Sequence, residues 1–238
     1  MATRVENSNF AQYLAIGVLQ LNFDDGNTYY GTGALIDSKT ILTCAHNLTE
    51  KGNGAPPKVI SINFFPKYNT QPFPLPLNCQ VAQGCYSASY AVASSLYKNN
   101  QDDWDIGLIK LAQPINVNFY FNPITTVDDS LANEDEQLMI TGYPGDKNGE
   151  MWTDFDTVAN IDIGFNTLLF VVDTQAGSSG SPVYNYNSID DKIYQYAVHV
   201  AKTEIAGLKR AILITPNIMD WINKAKLVRQ GNVFLTYL

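Results

Sequence analysis

Short runs of apolar residues alternate along the chain with short clusters of Gly, Asn, Asp and Pro. The apolar runs are rich in Val, Ile, Tyr and Phe, which favour β-strands, and the clusters between them favour tight turns. Many short strands at this spacing are typical of a β-sandwich or of β-barrels. The pattern predicts strands at 13–21, 29–36, 40–45, 58–64, 106–111, 137–142, 167–173, 181–184, 193–200 and 209–215.

One helix is predicted after the last long strand. Thr215 and Pro216 are suited to the N-cap and the first helical position. Apolar residues then recur at helical spacing, namely Ile218, Met219, Trp221, Ile222 and Leu227.

Two long segments show no clear period. Residues 66–100 are interpreted as an irregular connection, with a short helix at 87–97. Residues 112–136 contain two prolines and an acidic run, and they are interpreted as the link between two β-rich halves.

The charge balance restricts the choice of partners. Among 238 residues, 15 Lys and Arg face 23 Asp and Glu, so the net charge is −8. Binding to nucleic acid or to an anionic membrane surface requires a basic surface, so neither is expected as a partner. No apolar run approaches the ~20 residues that a membrane helix requires. The N-terminal residues show no apolar core of a signal peptide.

The three cysteines are too few for a disulfide scaffold. Cys79 and Cys85 are close enough in sequence to form a disulfide. The sequence does not distinguish this disulfide from two free thiols. Cys44 lies in an apolar run and is interpreted as a buried small hydrophobic residue. No Cys, His and Asp cluster has the spacing of metal ligands, so neither a metal nor a cofactor is expected.

Three segments carry residues suited to acyl transfer. His46 ends an apolar strand, Asp105 directly precedes the apolar run 106–109, and Ser179 lies in the turn Gly-Ser-Ser-Gly. A serine hydroxyl needs a neutral imidazole to take its proton, and the imidazole needs a carboxylate on its other nitrogen. The backbone N–H groups of Gly177 and Ser179 could stabilise the resulting oxyanion.

In this order, and in a β-rich chain of this length, these residues resemble the chymotrypsin-like serine peptidases. The segment Ile-Thr-Gly-Tyr-Pro-Gly-Asp-Lys at 140–147, the following Met151-Trp152 and the segment 173–185 resemble the glutamyl endopeptidase branch, which includes the exfoliative toxins. The resemblance implies an all-β, trypsin-like fold of two six-stranded antiparallel β-barrels with a C-terminal helix. The expected bounds are 10–115 and 131–238 for the barrels and 116–130 for the linker.

The resemblance also implies roles for single residues. His46 would be the general base, Asp105 the group that orients it and Ser179 the nucleophile, with Asp102 and Asp103 as rival carboxylates. Gly177 and Ser179 would form the oxyanion hole.

Two further residues correspond to the primary specificity pocket of the branch. Thr174 lies five residues before the nucleophile, and His199 follows an apolar strand run. Both can hydrogen-bond a carboxylate, and a protonated imidazole would add charge. Cleavage after Glu is therefore expected. After His199 the branch usually has Trp-Gly-Gly, where this chain has Val-Ala-Lys, which alters the strand that pairs with substrate.

The sequence thus predicts a monomeric serine endopeptidase that acts on proteins or peptides. A trypsin-like protease of other specificity and an inactive peptide-binding module remain as alternatives. The resemblance implies secretion, whereas the missing signal peptide leaves a cytoplasmic location open.

Overall fold

A computed structural model describes residues 2–52, 55–69, 79, 84–126, 137–187, 190–202 and 207–238. The strands are β1 Thr3–Arg4, β2 Ile16–Phe23, β3 Thr28–Asp37, β4 Thr40–Thr43, β5 Val59–Pro66, β6 Tyr86–Ala93, β7 Gly107–Leu111, β8 Phe121–Pro123, β9 Gln137–Gly142, β10 Trp152–Asp162, β11 Thr167–Val171, β12 Pro182–Asn187, β13 Lys192–Lys202, β14 Leu208–Leu213 and β15 Leu235–Tyr237. The α-helices are α1 Ala11–Leu14, α2 Ser95–Lys98 and α3 Pro216–Leu227.

Six strands of the N-terminal half close into an antiparallel barrel. Their order is β5-β2-β3-β4-β7-β6, and β6 pairs with both β7 and β5. Their inward side chains are fully buried, for example Leu19, Leu35 and Ile41. Closure leaves the six strands without a free sheet edge.

Six strands of the C-terminal half close in the same way. Their order is β9-β10-β11-β14-β13-β12, and β12 pairs again with β9. Leu138, Leu168, Phe170 and Leu213 form part of the interior of this second barrel. The predicted fold of two six-stranded antiparallel barrels is therefore confirmed.

Each end of the chain pairs with a strand of the opposite half. The N-terminal β1 pairs with β10 of the second barrel, and the C-terminal β15 pairs in parallel with β6 of the first. In the segment predicted to link the halves, β8 pairs in parallel with β13. Residues 127–136 of that segment lie outside the described residues.

The predicted C-terminal helix is present as α3, and Thr215 accepts a hydrogen bond from the Ile218 N–H at its start. The prediction for 87–97 was wrong, because residues 86–93 form a strand and the helix is confined to Ser95–Lys98. The long strand β10 was not predicted. Both strands are held by pairing on two sides, β10 with β9 and β11, and β6 with β5 and β7.

Cys79 and Cys85 form a disulfide, with their Cα atoms 5.3 Å apart. Cys44 is free and fully buried, as expected. Within the described ranges, no helix is long and apolar enough to span a membrane.

Candidate active site

The pairing of two strands brings His46 and Asp105 together. In the first barrel Thr43 at the end of β4 lies opposite Gly107 at the start of β7. His46 lies in the 3₁₀ turn Ala45–Asn47 that follows β4, and Asp105 precedes β7, so the antiparallel register places both at the same barrel end. Asp105 Oδ2 lies 2.7 Å from His46 Nδ1, and Asp105 Oδ1 accepts from the His46 backbone N–H at 2.8 Å.

Among the described contacts, neither rival carboxylate forms a hydrogen bond or ion pair with His46. Asp102 forms an ion pair with Lys51. Asp103 accepts a hydrogen bond from Asn166 at its backbone carbonyl. The structure therefore gives Asp105 as the carboxylate next to His46.

The protonation of His46 is set by two opposing effects. Burial disfavours the charged imidazolium, but the nearby Asp105 carboxylate favours it more strongly, and the pKa of His46 is raised well above its usual value. The side chain of Asp105 is only 6% exposed, whereas that of His46 is 30% exposed. Asp105 therefore holds the Nδ1 edge of the imidazole, and solvent or substrate can reach another part of the ring.

Ser179 shares an open cleft with His46. The cleft has a volume of ≈ 300 Å³, and Asn47, Glu50 and Gly177 also line it. Ser178 and Ser181, the neighbouring serines of the turn, are 2% and 0% exposed, so Ser179 is the one that is partly open. Within the described chain no hydrogen bond joins Ser179 to His46, and His46 Nε2 instead has Cys44 Sγ at 3.5 Å.

The turn before Ser179 leaves two amide groups available. Gly177 has a φ of +96°, and a Cβ atom at this position would lie 2.5 Å from the Tyr143 carbonyl oxygen. Glycine is thus required both by the backbone conformation and by the close approach. Among the described residues, the backbone N–H groups of Gly177 and Ser179 have no hydrogen-bond partner, unlike those of Ser178, Gly180 and Ser181.

Two residues that the sequence did not indicate hold this turn in place. Thr32 donates from its backbone N–H to the Ser179 carbonyl at 2.8 Å and from its hydroxyl to the Gly177 carbonyl at 2.9 Å. The Asn47 side-chain amide donates to the same Ser179 carbonyl at 3.0 Å and to Thr43 Oγ1 at 2.9 Å. The turn that carries Ser179 belongs to the second half of the chain and is therefore fixed by residues of the first half.

Thr174 and His199 are in contact with each other. Thr174 Oγ1 lies 3.2 Å from His199 Nε2, and the two residues are 4% and 3% exposed. The imidazole also packs edge-on against Phe170. Burial, with smaller effects of His46 and Lys209, lowers the pKa of His199 to about 3. The imidazole is therefore neutral near pH 7, and the charge that the sequence suggested is missing in the free protein.

A small cavity beside Thr174 contains acidic side chains. Its lining includes Thr174, Ser178, Asp154 and Asp173. Asp154 is buried and accepts from the Asp173 backbone N–H at 2.9 Å. Neither Ser179 nor His199 lines this cavity.

One group of described side chains has the composition of a metal site. The ligand atoms of Cys44, His46 and Asp105 lie within 4.8 Å of one another. Asp105 is distant from the other two in sequence, so no motif spacing revealed the group, which forms only through the pairing of β4 with β7.

The family model described as trypsin-like peptidase domain matches residues 31–188, well over half of the chain. The chain belongs to the trypsin-like peptidase family. It is a serine endopeptidase related to the glutamyl endopeptidases, as the sequence motifs predicted.

Two curated relatives illustrate the relationship. This trypsin-like peptidase is 25% identical to a Bacillus subtilis protein named extracellular metalloprotease, over 93% of this chain and 68% of the relative. It is 24% identical to a glutamyl endopeptidase of Bacillus licheniformis, over 94% of this chain and 68% of the relative. The chain thus spans about two thirds of the length of both relatives.

Solved structures share the fold. A Glu endopeptidase in complex with MPD superposes with a TM-score of 0.76 and 23% identity, covering 95% of this chain and 97% of the other. The protease Anisep from Arthrobacter nicotinovorans gives a TM-score of 0.69 at 18% identity, covering 94% and 99%.

Proposed function

We propose that this trypsin-like peptidase hydrolyses proteins or peptides with His46, Asp105 and Ser179 as its catalytic triad. The observation that carries the proposal is the 2.7 Å contact of His46 Nδ1 with Asp105, at the edge of a cleft that Ser179 also lines. An orienting carboxylate on Nδ1 leaves Nε2 as the nitrogen that accepts a proton.

In the proposed reaction, Ser179 Oγ attacks the scissile carbonyl carbon while its proton passes to His46 Nε2. Asp105 stabilises the imidazolium, and the free N–H groups of Gly177 and Ser179 donate to the oxyanion. His46 then gives the proton to the leaving amine, and an acyl-enzyme remains on Ser179. A water molecule, deprotonated by His46, hydrolyses this ester.

We infer a preference for Glu at P1, the residue before the cleaved bond. The relatives named glutamyl endopeptidase and the contact between Thr174 and His199 support it. A neutral imidazole and a hydroxyl can each donate one hydrogen bond to a carboxylate, in place of the bond that joins them in the free protein. An apolar P1 side chain would leave these groups unpaired, at a cost of about 1–3 kcal/mol per group.

One observation favours a second candidate, a basic P1 residue. Asp154 and Asp173 line the small cavity next to Thr174, and their carboxylates would favour a cationic side chain nearby. The net charge of −8 would also attract basic peptides at long range.

Cleavage of a peptide library with all residues at P1 separates these candidates. The glutamyl preference predicts the highest kcat/KM after Glu, and a large loss of it in His199→Ala. In the same variant, labelling of Ser179 by a small serine-directed phosphonate should be nearly unchanged, because that reagent does not fill the pocket. A profile dominated by Lys or Arg would support the second candidate.

Metal-dependent hydrolysis is less well supported, although one relative is named a metalloprotease. Catalytic zinc sites use three protein ligands. In the Cys44, His46 and Asp105 group, both Asp105 oxygens already accept hydrogen bonds from His46, which leaves only two side chains free to bind a metal.

An extracellular location is proposed as well. It is supported by the disulfide between Cys79 and Cys85 and by the name of the Bacillus subtilis relative. Disulfides of this kind persist in oxidising compartments.

A further inference from the structure

Cys44 and His46 lie at the spacing of two ligands of one soft metal ion. Cys44 Sγ is 3.5 Å from His46 Nε2. Around a tetrahedral zinc ion with a Zn–S bond of ~2.3 Å and a Zn–N bond of ~2.0 Å, sulfur and nitrogen are about 3.5 Å apart. The two atoms are therefore already separated as in a zinc site.

The second nitrogen of the imidazole has the partner that such a ligand requires. Histidines that bind metals usually donate their other N–H to a carboxylate, which fixes the tautomer and makes the ligating nitrogen more basic. Asp105 Oδ2 accepts from His46 Nδ1 at 2.7 Å and provides this support. Nε2 is then the nitrogen that carries the lone pair, and it is the one that Cys44 Sγ contacts.

His46 is the member of the pair that the cleft reaches. Cys44 is fully buried, but His46 lines the open cleft of ≈ 300 Å³, so an ion would approach along the imidazole. Glu50, an exposed residue, lines the same cleft. Together with the net charge of −8 it would raise the local concentration of cations.

We propose that Cys44 and His46 form an inhibitory site for zinc and other soft divalent metal ions in this trypsin-like peptidase. The ion binds Cys44 Sγ and His46 Nε2, and water molecules from the cleft occupy its remaining positions. The thiol proton of Cys44 is released to solvent on binding. Inhibition follows because the metal occupies the lone pair of Nε2 that has to accept the Ser179 proton.

The inhibitory effect rests on the proposed role of His46, whereas metal binding does not. Two protein ligands give weaker binding than the four of a structural zinc site, so the metal should be removable by a chelator. Hard ions such as Mg²⁺ and Ca²⁺ prefer oxygen ligands and should not inhibit.

Zinc titration of peptidase activity tests the inhibitory effect. Zn²⁺ should inhibit the wild type, and a chelator should restore activity, while Mg²⁺ at the same concentration has no effect. Cys44→Ala keeps the proposed triad but removes one metal ligand. In this variant the Zn²⁺ concentration for half inhibition should rise by more than ~10-fold, because losing a ligand costs more affinity than losing a group that only supports a ligand. Glu50→Gln removes a charge from the same cleft but no proposed ligand, and it should raise this concentration much less than Cys44→Ala does.

Direct binding is tested with Co²⁺, whose bond to a thiolate gives a charge-transfer absorption band. The band should appear in the wild type and in Ser179→Ala, and it should be lost in Cys44→Ser and in His46→Ala. This measurement needs no activity, so it separates failure of the metal site from failure of the proposed peptidase mechanism. Absence of the band in the wild type, or equal zinc inhibition of wild type and Cys44→Ala, would overturn the proposal.

Discussion

Asp105 contacts His46 through both of its carboxylate oxygens, one at the imidazole and one at the backbone. Burial alone would lower the pKa of His46, and the carboxylate more than reverses this effect. Because the general base must be neutral, the proposed activity should increase as the pH rises through this raised pKa.

Asp105→Asn should therefore reduce kcat about 10⁴-fold, as loss of the orienting carboxylate does in other triads. It should also move the acid limb of the kcat/KM profile to lower pH, because the charge that raises the pKa of His46 is gone. Asp102→Asn, beside Lys51, is the control and should leave the limb in place. If the acid limb of the kcat/KM profile stays at the same pH in Asp105→Asn, Asp105 is not the carboxylate that raises the pKa of His46.

The Asn47 amide donates to the Ser179 carbonyl at 3.0 Å, so in the proposed mechanism Asn47 positions the turn that carries the nucleophile. Asn47→Ala should lower kcat by about tenfold, the equivalent of one lost hydrogen bond of about 1–1.5 kcal/mol, with a smaller effect on KM. Asn63→Ala removes hydrogen bonds to Gln20 and Ser87, neither of which lines the cleft, and serves as the control. Equal kcat values for the two variants would exclude a positioning role for Asn47.

The side chains proposed for catalysis could be found by sequence reasoning, but the residues that support them could not. His46, Asp105 and Ser179 occur in a characteristic order and in typical local motifs. Thr32 and Asn47 act on backbone carbonyl groups more than 130 residues away, and a backbone acceptor leaves no mark on the sequence. The short distance between Cys44 and His46 Nε2 likewise depends on how the imidazole is turned by Asp105.

At the level of elements, strands with a regular apolar pattern were predictable and strands with polar or small residues were not. β10 has the sequence Trp-Thr-Asp-Phe-Asp-Thr-Val-Ala-Asn-Ile-Asp, in which Asp and Asn disfavour a strand. It is formed because β9 pairs along one edge and β11 along the other. β6, with its Ser and Ala residues, is similarly fixed by β5 and β7. Tertiary pairing overrides local preference in both.

The C-terminal helix α3 depends on Thr215 at its N-cap. This buried hydroxyl accepts from the Ile218 N–H and donates to Asn166 Oδ1 at 2.6 Å. Thr215→Ala should lower the free energy of unfolding by about 1–2 kcal/mol, measured by urea denaturation. Thr167→Ala, which removes only a local hydrogen bond to the Phe165 carbonyl, is the control and should change it much less. Equal losses of unfolding free energy in the two variants would show that the Thr215 hydroxyl contributes no N-cap stabilisation.

For the whole molecule, the two histidines should affect acid stability in opposite directions. His199 has a pKa of about 3 in the fold and about 6.5 when unfolded, so the unfolded chain binds its proton first as the pH falls. His199 therefore costs stability progressively between about pH 6.5 and pH 3, up to roughly 4 kcal/mol. The pKa of His46 is raised in the fold, so its contribution is fully present below about pH 6.5 and is lost as the pH rises through the folded pKa.

Urea unfolding of His199→Gln and His46→Gln between pH 4 and pH 8 checks this linkage. The stability of His199→Gln should fall less steeply than that of the wild type towards acid. His46→Gln should lose most stability, relative to the wild type, at the acid end of the range. Parallel pH profiles for all three proteins would be inconsistent with these pKa shifts.

The most direct test of the whole account is the site at which a serine-directed phosphonate reacts, mapped by mass spectrometry of the labelled protein. The proposed mechanism predicts one adduct, on Ser179, that forms rapidly in the wild type, slowly in His46→Ala and not at all in Ser179→Ala. Labelling of Ser178 or Ser181, or full labelling of Ser179→Ala, would contradict the assignment of the nucleophile. No labelling of the wild type would instead indicate a peptide-binding module without catalytic activity.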